Sequence, residues 1–193
     1  MTKLLSATLA ALFIITSLQG CAPMLVAGAA TGAAVIHDRR STGAILDDQT
    51  TELKISNALH KDKALMQNAR IEVTVFNGIA LLIGQVPSEQ HLKRAAAHAR
   101  ENIKIKQVHN ELKVTEAIGL KVQNNDTAIT FKVKSALLGA KGVNSGYLKV
   151  ITERSVVYLM GLVTRDEGNM AAQTVQQVKG VQGIVKVFEY IDA

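Results

Sequence analysis

Cysteine is almost missing from this 193-residue chain: Cys21 stands alone. A single cysteine excludes an intramolecular disulfide, and it leaves no thiol for chemistry anywhere after the first few residues. No apolar run reaches the ~20 residues that a membrane-crossing helix usually needs; the run from Leu4 to Leu18 is already broken by Ser6, Thr8, Thr16 and Ser17. A basic block is also lacking. Residues 49–118 hold 10 Lys/Arg against 7 Asp/Glu, and residues 119–193 hold 9 against 6. So mild and even an excess argues against nucleic acid as a partner and suits anionic lipid or other acidic material. Serine and aspartate form no nucleophile motif. His91 and His98 can share a helix face, but no acidic or cysteine ligand completes a metal set beside them. These absences leave no reading as an enzyme, no cofactor and no small-molecule substrate.

What is present begins at the amino terminus. Lys3 followed by a short apolar run has the layout of a secretory signal peptide, and the run ends in Leu18-Gln19-Gly20-Cys21. That ending resembles a bacterial lipobox, in which the cysteine thiolate accepts diacylglycerol and the chain is cut before it. The alternative is a chance cysteine in an ordinary signal peptide. On the lipobox reading residues 1–20 are the signal peptide. Cys21 then carries an S-diacylglycerol and an N-acyl chain, and each buried CH₂ adds roughly 0.8 kcal/mol of anchoring. In such lipoproteins an aspartate after the cysteine commonly blocks sorting, so the resemblance, with Ala22 at that place, implies the outer membrane as the destination. Residues 21–48 then form the lipidated cysteine and a tether, either a linker along the membrane or a short helix packed on a domain. Asp38-Arg39-Arg40-Ser41-Thr42-Gly43 reads as solvated loop.

The remainder repeats, which takes priority over local readings. Leu53-Lys54-Ile55-Ser56-Asn57-Ala58-Leu59 aligns with Phe131-Lys132-Val133-Lys134-Ser135-Ala136-Leu137, an offset of 78, and Gly78–Val86 aligns with Ser155–Val163 at 77. Each copy predicts the order α-β-β-α-β: helices near 49–61 and 127–140, hairpins, second helices near 88–102 and 165–178, and last strands near 106–114 and 184–191. The expected fold is α+β, with two tandem domains, each a three-stranded mixed sheet packed by two helices. The first spans 49–115, a linker 116–125, the second 126–191. Asn77-Gly78 suits a type I′ turn. Gly84 and Gly161, placed just after the second strand, read as turn or bulge positions where a side chain would crowd the backbone. About 65 residues make a marginal core, so the copies are expected to pack together or sit close.

At 100° per residue, Ile129, Val133, Ala136, Leu137 and Ala140 form a core stripe on the first helix of copy two. Phe131 and Leu138 fall on the opposite side, with Lys134 and Lys141 toward the same exposed side. In copy one the stripe is Thr51, Ile55, Ala58, Leu59 and Asp62, and Leu53, Ser56 and His60 replace Phe131, Lys134 and Leu138. Three explanations stand for the oily, lysine-edged side: contact with a membrane or partner, packing of Phe131 between the domains, or an error of helix phase.

Paired α-β-β-α-β units whose second strands end Leu82-Ile83-Gly84-Gln85-Val86 and Leu159-Met160-Gly161-Leu162-Val163 resemble BON domains. With the lipobox, Asp126-Thr127-Ala128-Ile129-Thr130 and the run Tyr158–Arg165, the whole chain resembles the dual-BON outer-membrane lipoproteins. That resemblance implies a periplasm-facing lipoprotein that supports envelope integrity and gathers at the cell-division site. It also implies anionic-phospholipid binding by the first helix of the second BON domain, with Phe131, Lys134, Leu138 and Lys141 as the residues here. The family's pattern carries an aromatic where this chain has Ala128, and Phe131 stands on an adjacent side of the helix. A periplasmic adaptor that recruits an envelope enzyme or assembly factor is the competing expectation.

Overall fold

The computed structural model describes residues 38–192. The signal peptide, Cys21 and the tether up to residue 37 lie outside the described residues. The first repeat comprises α1 (Thr42–Lys61), the single turn α2 (Lys63–Met66), β1 (Arg70–Phe76), β2 (Ile79–Val86), α3 (Glu89–Arg100), β3 (Gln107–Asn110) and β4 (Lys113–Val114). The second comprises α4 (Leu120–Gly139), a 3₁₀ turn (Ser145–Tyr147), β5 (Leu148–Glu153), β6 (Val156–Val163), α5 (Arg165–Gln176) and β7 (Gly183–Tyr190).

In each repeat a hairpin supplies an antiparallel pair, and the chain then crosses over a helix to return parallel to the middle strand, β2 or β6. The second sheet has the expected three strands; the first is counted as four. The reason is local. β3 and β4 both pair with β2 in one register, Ile79 opposite Gln107 and Gln85 opposite Lys113, so they are two pieces of one strand. Between them Leu112 turns into the core at 3% exposure. The Asn110 side chain donates to Leu92 O at 3.0 Å and accepts from Leu112 N at 3.4 Å, which takes the ladder's place there.

Both leading helices begin seven residues before their expected starts. Ser41 caps α1 by accepting from Ala44 N at 3.1 Å, so Thr42–Asp48, expected as tether, is helical. Residues Leu120–Asn125, expected as linker, are the first turns of α4. The far ends are closer to expectation. Lys141 lies past the end of α4, in the turn that follows it. On α5, Thr164 and Glu167 close a reciprocal capping box, which satisfies two orphan amides of the first turn.

Each repeat packs its helices on one face of its sheet. Ile55, Leu59, Val73, Val75, Leu82 and Ala99 mark the first core, and Ile129, Val133, Leu137, Val157, Leu159 and Val175 the second. The opposite faces of the two sheets close on each other through Phe76, Ile79, Leu81, Ile83, Tyr158, Met160 and Val187. The layer order is therefore helix–sheet–sheet–helix, and β2 is buried along its whole length because both of its faces are covered.

Polar groups fix the register of this third core. Arg70 reaches both carboxylate oxygens of Glu153 at 2.9 Å, Gln85 donates to the same carboxylate, and Ile118 N donates to Gln85 Oε1 at 3.2 Å. Gln85 is fully buried and Glu153 nearly so, and burying them is tolerable because their hydrogen-bonding capacity is met across the interface.

Candidate functional site

The second repeat's leading helix carries the candidate site. Its inward line is Asp126, Ile129, Val133 and Leu137, all buried. Phe131 and Leu138 lie on the other side, 73% and 65% exposed, with Lys134 exposed nearby. Phe131 is therefore not enclosed between the repeats, whose contact runs through the sheets. Ala136 and Ala140 are only half-buried. Leu120, 76% exposed, extends the apolar line by three turns: at 100° per residue it falls within about 20° of Phe131. It was missed because the helix was expected to start at residue 127; Gly119, which breaks helical patterns, hid the earlier start. Lys121 and Lys132 flank the same stripe and are exposed. Ala128 is exposed beside Phe131, so the family's aromatic position faces solvent here too.

Asp126 shows why this helix is held firmly. Its carboxylate accepts from Arg154 N and Ser155 N, both at 2.8 Å. Asp48, its equivalent on α1, accepts from Asn77 N at 2.6 Å and Gly78 N at 2.9 Å. A buried aspartate on each leading helix thus clasps the hairpin turn of its own repeat, through charge-assisted bonds. Both turns have two residues with positive φ: Asn77 (50°) and Gly78 (77°), Arg154 (50°) and Ser155 (63°). This is the type I′ geometry. Sequence reading passed over both aspartates, although their matching place in the two copies was a usable signal.

Gly84 and Gly161 lie inside β2 and β6, opposite Ile71 and Leu148, not in turns or bulges. Crowding is what they relieve: a Cβ on Gly84 would sit 2.0 Å from Arg70 O, and one on Gly161 2.7 Å from Tyr147 O.

The histidines have separate local partners. His91 Nδ1 is 2.7 Å from Ser88 Oγ, and His98 Nε2 is 2.9 Å from Asp62 Oδ2. Asp62, expected in the core stripe, instead ends α1 and caps α2, accepting from Leu65 N. Its hydrogen bond to His98 holds its carboxyl below the usual range, helped by Leu65 N and Arg94. No three His, Cys, Asp or Glu side chains among the described residues could together hold a metal ion.

Residues 38–40, expected as solvated loop, are pinned. Arg39 donates to both oxygens of Glu167 at 2.6 and 2.9 Å and to Leu162 O at 3.1 Å, and its guanidinium lies 3.9 Å from the Tyr147 ring centroid. The Arg39 hydrogen bond holds the Glu167 carboxyl below its ordinary range. Arg40 pairs with Asp38 at 2.7 Å and Asp48 at 2.8 Å and stacks 3.8 Å over Phe76.

Two tandem α+β units, each a mixed sheet under helices, joined sheet to sheet, define the class. The BON domain model matches residues 47–116 and 125–192, and the chain belongs to the BON-domain family. It is 37% identical over 175 residues to the outer membrane lipoprotein DolP of Haemophilus influenzae, covering 91% of each chain. It is 35% identical over 154 residues to a 21 kDa hemolysin of Actinobacillus pleuropneumoniae, covering 80% of this chain and 79% of that one. To the osmotically-inducible protein Y of Escherichia coli it is 28% identical over 187 residues, covering 86% and 92%. The chain is a lipid-anchored protein of the outer membrane, facing the periplasm, and its role in the envelope is non-enzymatic.

Proposed function

We propose that the outward face of α4 is a second, weak attachment to an anionic phospholipid surface, made by a chain that is already acylated at Cys21. It thereby supports envelope integrity, at the division site as in the family it resembles. The observation that carries this reading is the exposed line Leu120–Phe131–Leu138 on a helix whose other side is fully engaged. Burying one such side chain contributes about 1.5–3 kcal/mol when complete, and each lysine near an anionic surface about 1 kcal/mol. Neither term alone holds a protein on a membrane. Acylation supplies the local concentration at which their sum matters.

The test uses a non-acylated chain beginning at Ala22, which keeps Asp38–Ser41 and the whole of α1. It is expected to bind vesicles containing phosphatidylglycerol, to bind phosphatidylcholine vesicles little, and to weaken as salt rises. Phe131→Ala is expected to lower binding by about 10-fold or more, and Lys134→Glu by a similar amount, since it exchanges attraction for repulsion. Leu53→Ala serves as control. Equal binding by all variants overturns the face. For the anchor, Cys21→Ser is expected to abolish acyl labelling and membrane fractionation; labelling that persists refutes it.

One observation favours a protein-adaptor role beside this. α1 exposes Leu46 and Leu53, 60% and 64%, on the outer side of the first repeat. In the four-layer order that side faces away from the α4 surface, so it stays open to a periplasmic partner while α4 meets lipid.

A further inference from the structure

The two arginines that precede α1 point to different repeats. Arg39 is spent wholly on the second: a bidentate pair with Glu167, a bond to Leu162 O and a stack on Tyr147. Arg40 is spent on the first, pairing with Asp48 and stacking on Phe76. Each prong also lands on a group with a structural task of its own. Glu167 closes the capping box of α5, accepting from Thr164 N at 2.8 Å. Asp48 clasps the Asn77-Gly78 turn.

The other leading helix provides an internal comparison. Positions 117 and 118 are the repeat equivalents of 39 and 40, and Gln85 that of Leu162. Ile118 N donates to Gln85 Oε1 at 3.2 Å, so each leading helix is entered by a segment bound to the other repeat. Ile118 makes that connection with one backbone amide. The segment before α1 uses two guanidiniums, two carboxylate partners and two aromatic rings. The difference matches what lies upstream: ahead of α4 is the first repeat, whereas ahead of Asp38 is the chain that runs back to Cys21.

We infer that Arg39 and Arg40 form a two-pronged staple that fixes the point where the anchored chain joins the paired repeats. By holding that point on the second repeat, the staple keeps the α4 face turned toward the anchoring bilayer; this consequence rests on the membrane reading above. Without the staple the fixed end of the anchored chain moves to Ser41, at the start of α1 on the first repeat, and the second repeat is no longer held at the point of attachment. The short turn carrying Tyr147 follows α4 directly, so the attachment point lies at the end of the molecule where Leu138 stands. A bidentate arginine pair with a stacked ring has the geometric specificity for this use, and a lysine does not reproduce it.

Two measurements on the acylated full chain in vesicles decide the matter. The first is trypsin cleavage after Arg39 and Arg40, with thermal unfolding followed to confirm that each variant is folded. The parent is expected to resist, and Glu167→Gln to be cut at least 10-fold faster. Arg39→Gln, which leaves the capping box intact, is expected to show the same acceleration after Arg40. A parent cut as fast as the variants overturns the staple. The second measurement uses the absence of tryptophan from the sequence. Phe131→Trp becomes a single reporter, read by quenching from brominated phosphatidylglycerol. Quenching is expected in the parent background and to fall at least twofold with Arg39→Gln, while binding of the chain beginning at Ala22 is unchanged by that substitution. Quenching that is equal with and without Arg39 overturns the orienting role. No quenching in either background refutes the α4 membrane reading instead, and leaves the staple to be judged by proteolysis.

Discussion

The hairpin turn of the second repeat is built from residues that resist its geometry. Arg154 and Ser155 both have positive φ, a conformation that costs an L-residue with a Cβ about 1–2 kcal/mol. The first repeat has Asn77-Gly78 at the same place, the dipeptide that adopts it most readily. Grafting Asn-Gly onto positions 154 and 155 removes most of that cost. Against the gain stands the greater freedom of glycine in the unfolded chain, roughly 0.5–1 kcal/mol. The exposed bond from Asn125 to Ser155 Oγ at 3.2 Å is also lost. The Asp126 carboxylate still receives both turn amides, because they are backbone groups. The expected net effect is a stabilisation of about 1 kcal/mol, or ~2–4 °C in the unfolding midpoint for a protein of this size. Circular dichroism during thermal and urea unfolding measures it. The reverse graft, Arg-Ser onto positions 77 and 78, is expected to destabilise by more, since it also breaks the Asn77 Nδ2 bond to Glu189 at 2.7 Å and places a Cβ 3.0 Å from Lys104 O. A neutral or destabilising forward graft would refute the reasoning, because it would mean that the aspartate clasp sets the turn without strain.

Two further outcomes are expected. Gly84→Ala, whose Cβ meets backbone at 2.0 Å, is expected to cost more than 3 kcal/mol or prevent folding, whereas Gly139→Ala, with nothing within 4 Å, gains about 0.5–1 kcal/mol; comparable midpoints for the two variants would contradict the close packing of β2 on β1. Burial, with Glu111 and Glu153 nearby, pushes the Tyr158 phenol up to about 12 from 10.0. Because the folded state holds that proton more tightly, stability is complete below pH 10 and falls as the pH rises toward 12; Tyr158→Phe is expected to flatten this alkaline limb in pH-dependent unfolding, and an unchanged limb would assign it to another group.

Periodicity carried the core of each repeat. Ile129, Val133 and Leu137 fell on the inner line and Phe131 and Leu138 on the outer, because a 3.6-residue period is insensitive to where a helix begins. Helix length was not legible in the same way. Gly43 and Gly119 lower helical preference at the two starts, and the packing that overrides them lies far along the chain. The sheet-to-sheet contact was signalled but not used: Ile79–Ile83 and Val156–Met160 are apolar on both faces, the pattern of strands covered on both sides. Gln85 and Glu153 could not be read as interior residues, and Asp48 and Asp126 only from their matching place in the two copies. A polar side chain is buried only when partners are supplied, and apart from Arg40 beside Asp48 those partners come from 28 or more residues away. The staple escaped for the same reason, since Glu167 is 128 residues from Arg39.

Back-to-back packing of the sheets gives this duplicated protein two poles. With sheets ~10 Å apart and a helix ~10–12 Å across on each flank, the outermost side chains of α1 and α4 stand some 30 Å from one another, several Debye lengths at physiological salt. A charged surface at one pole is electrically invisible at the other. A symmetric pair of identical copies would have to present the same chemistry at both. Fusion into one polypeptide lifts that constraint, leaving Phe131 and its lysines free to specialise for one environment while Leu46 and Leu53, on the far side, are shaped by another.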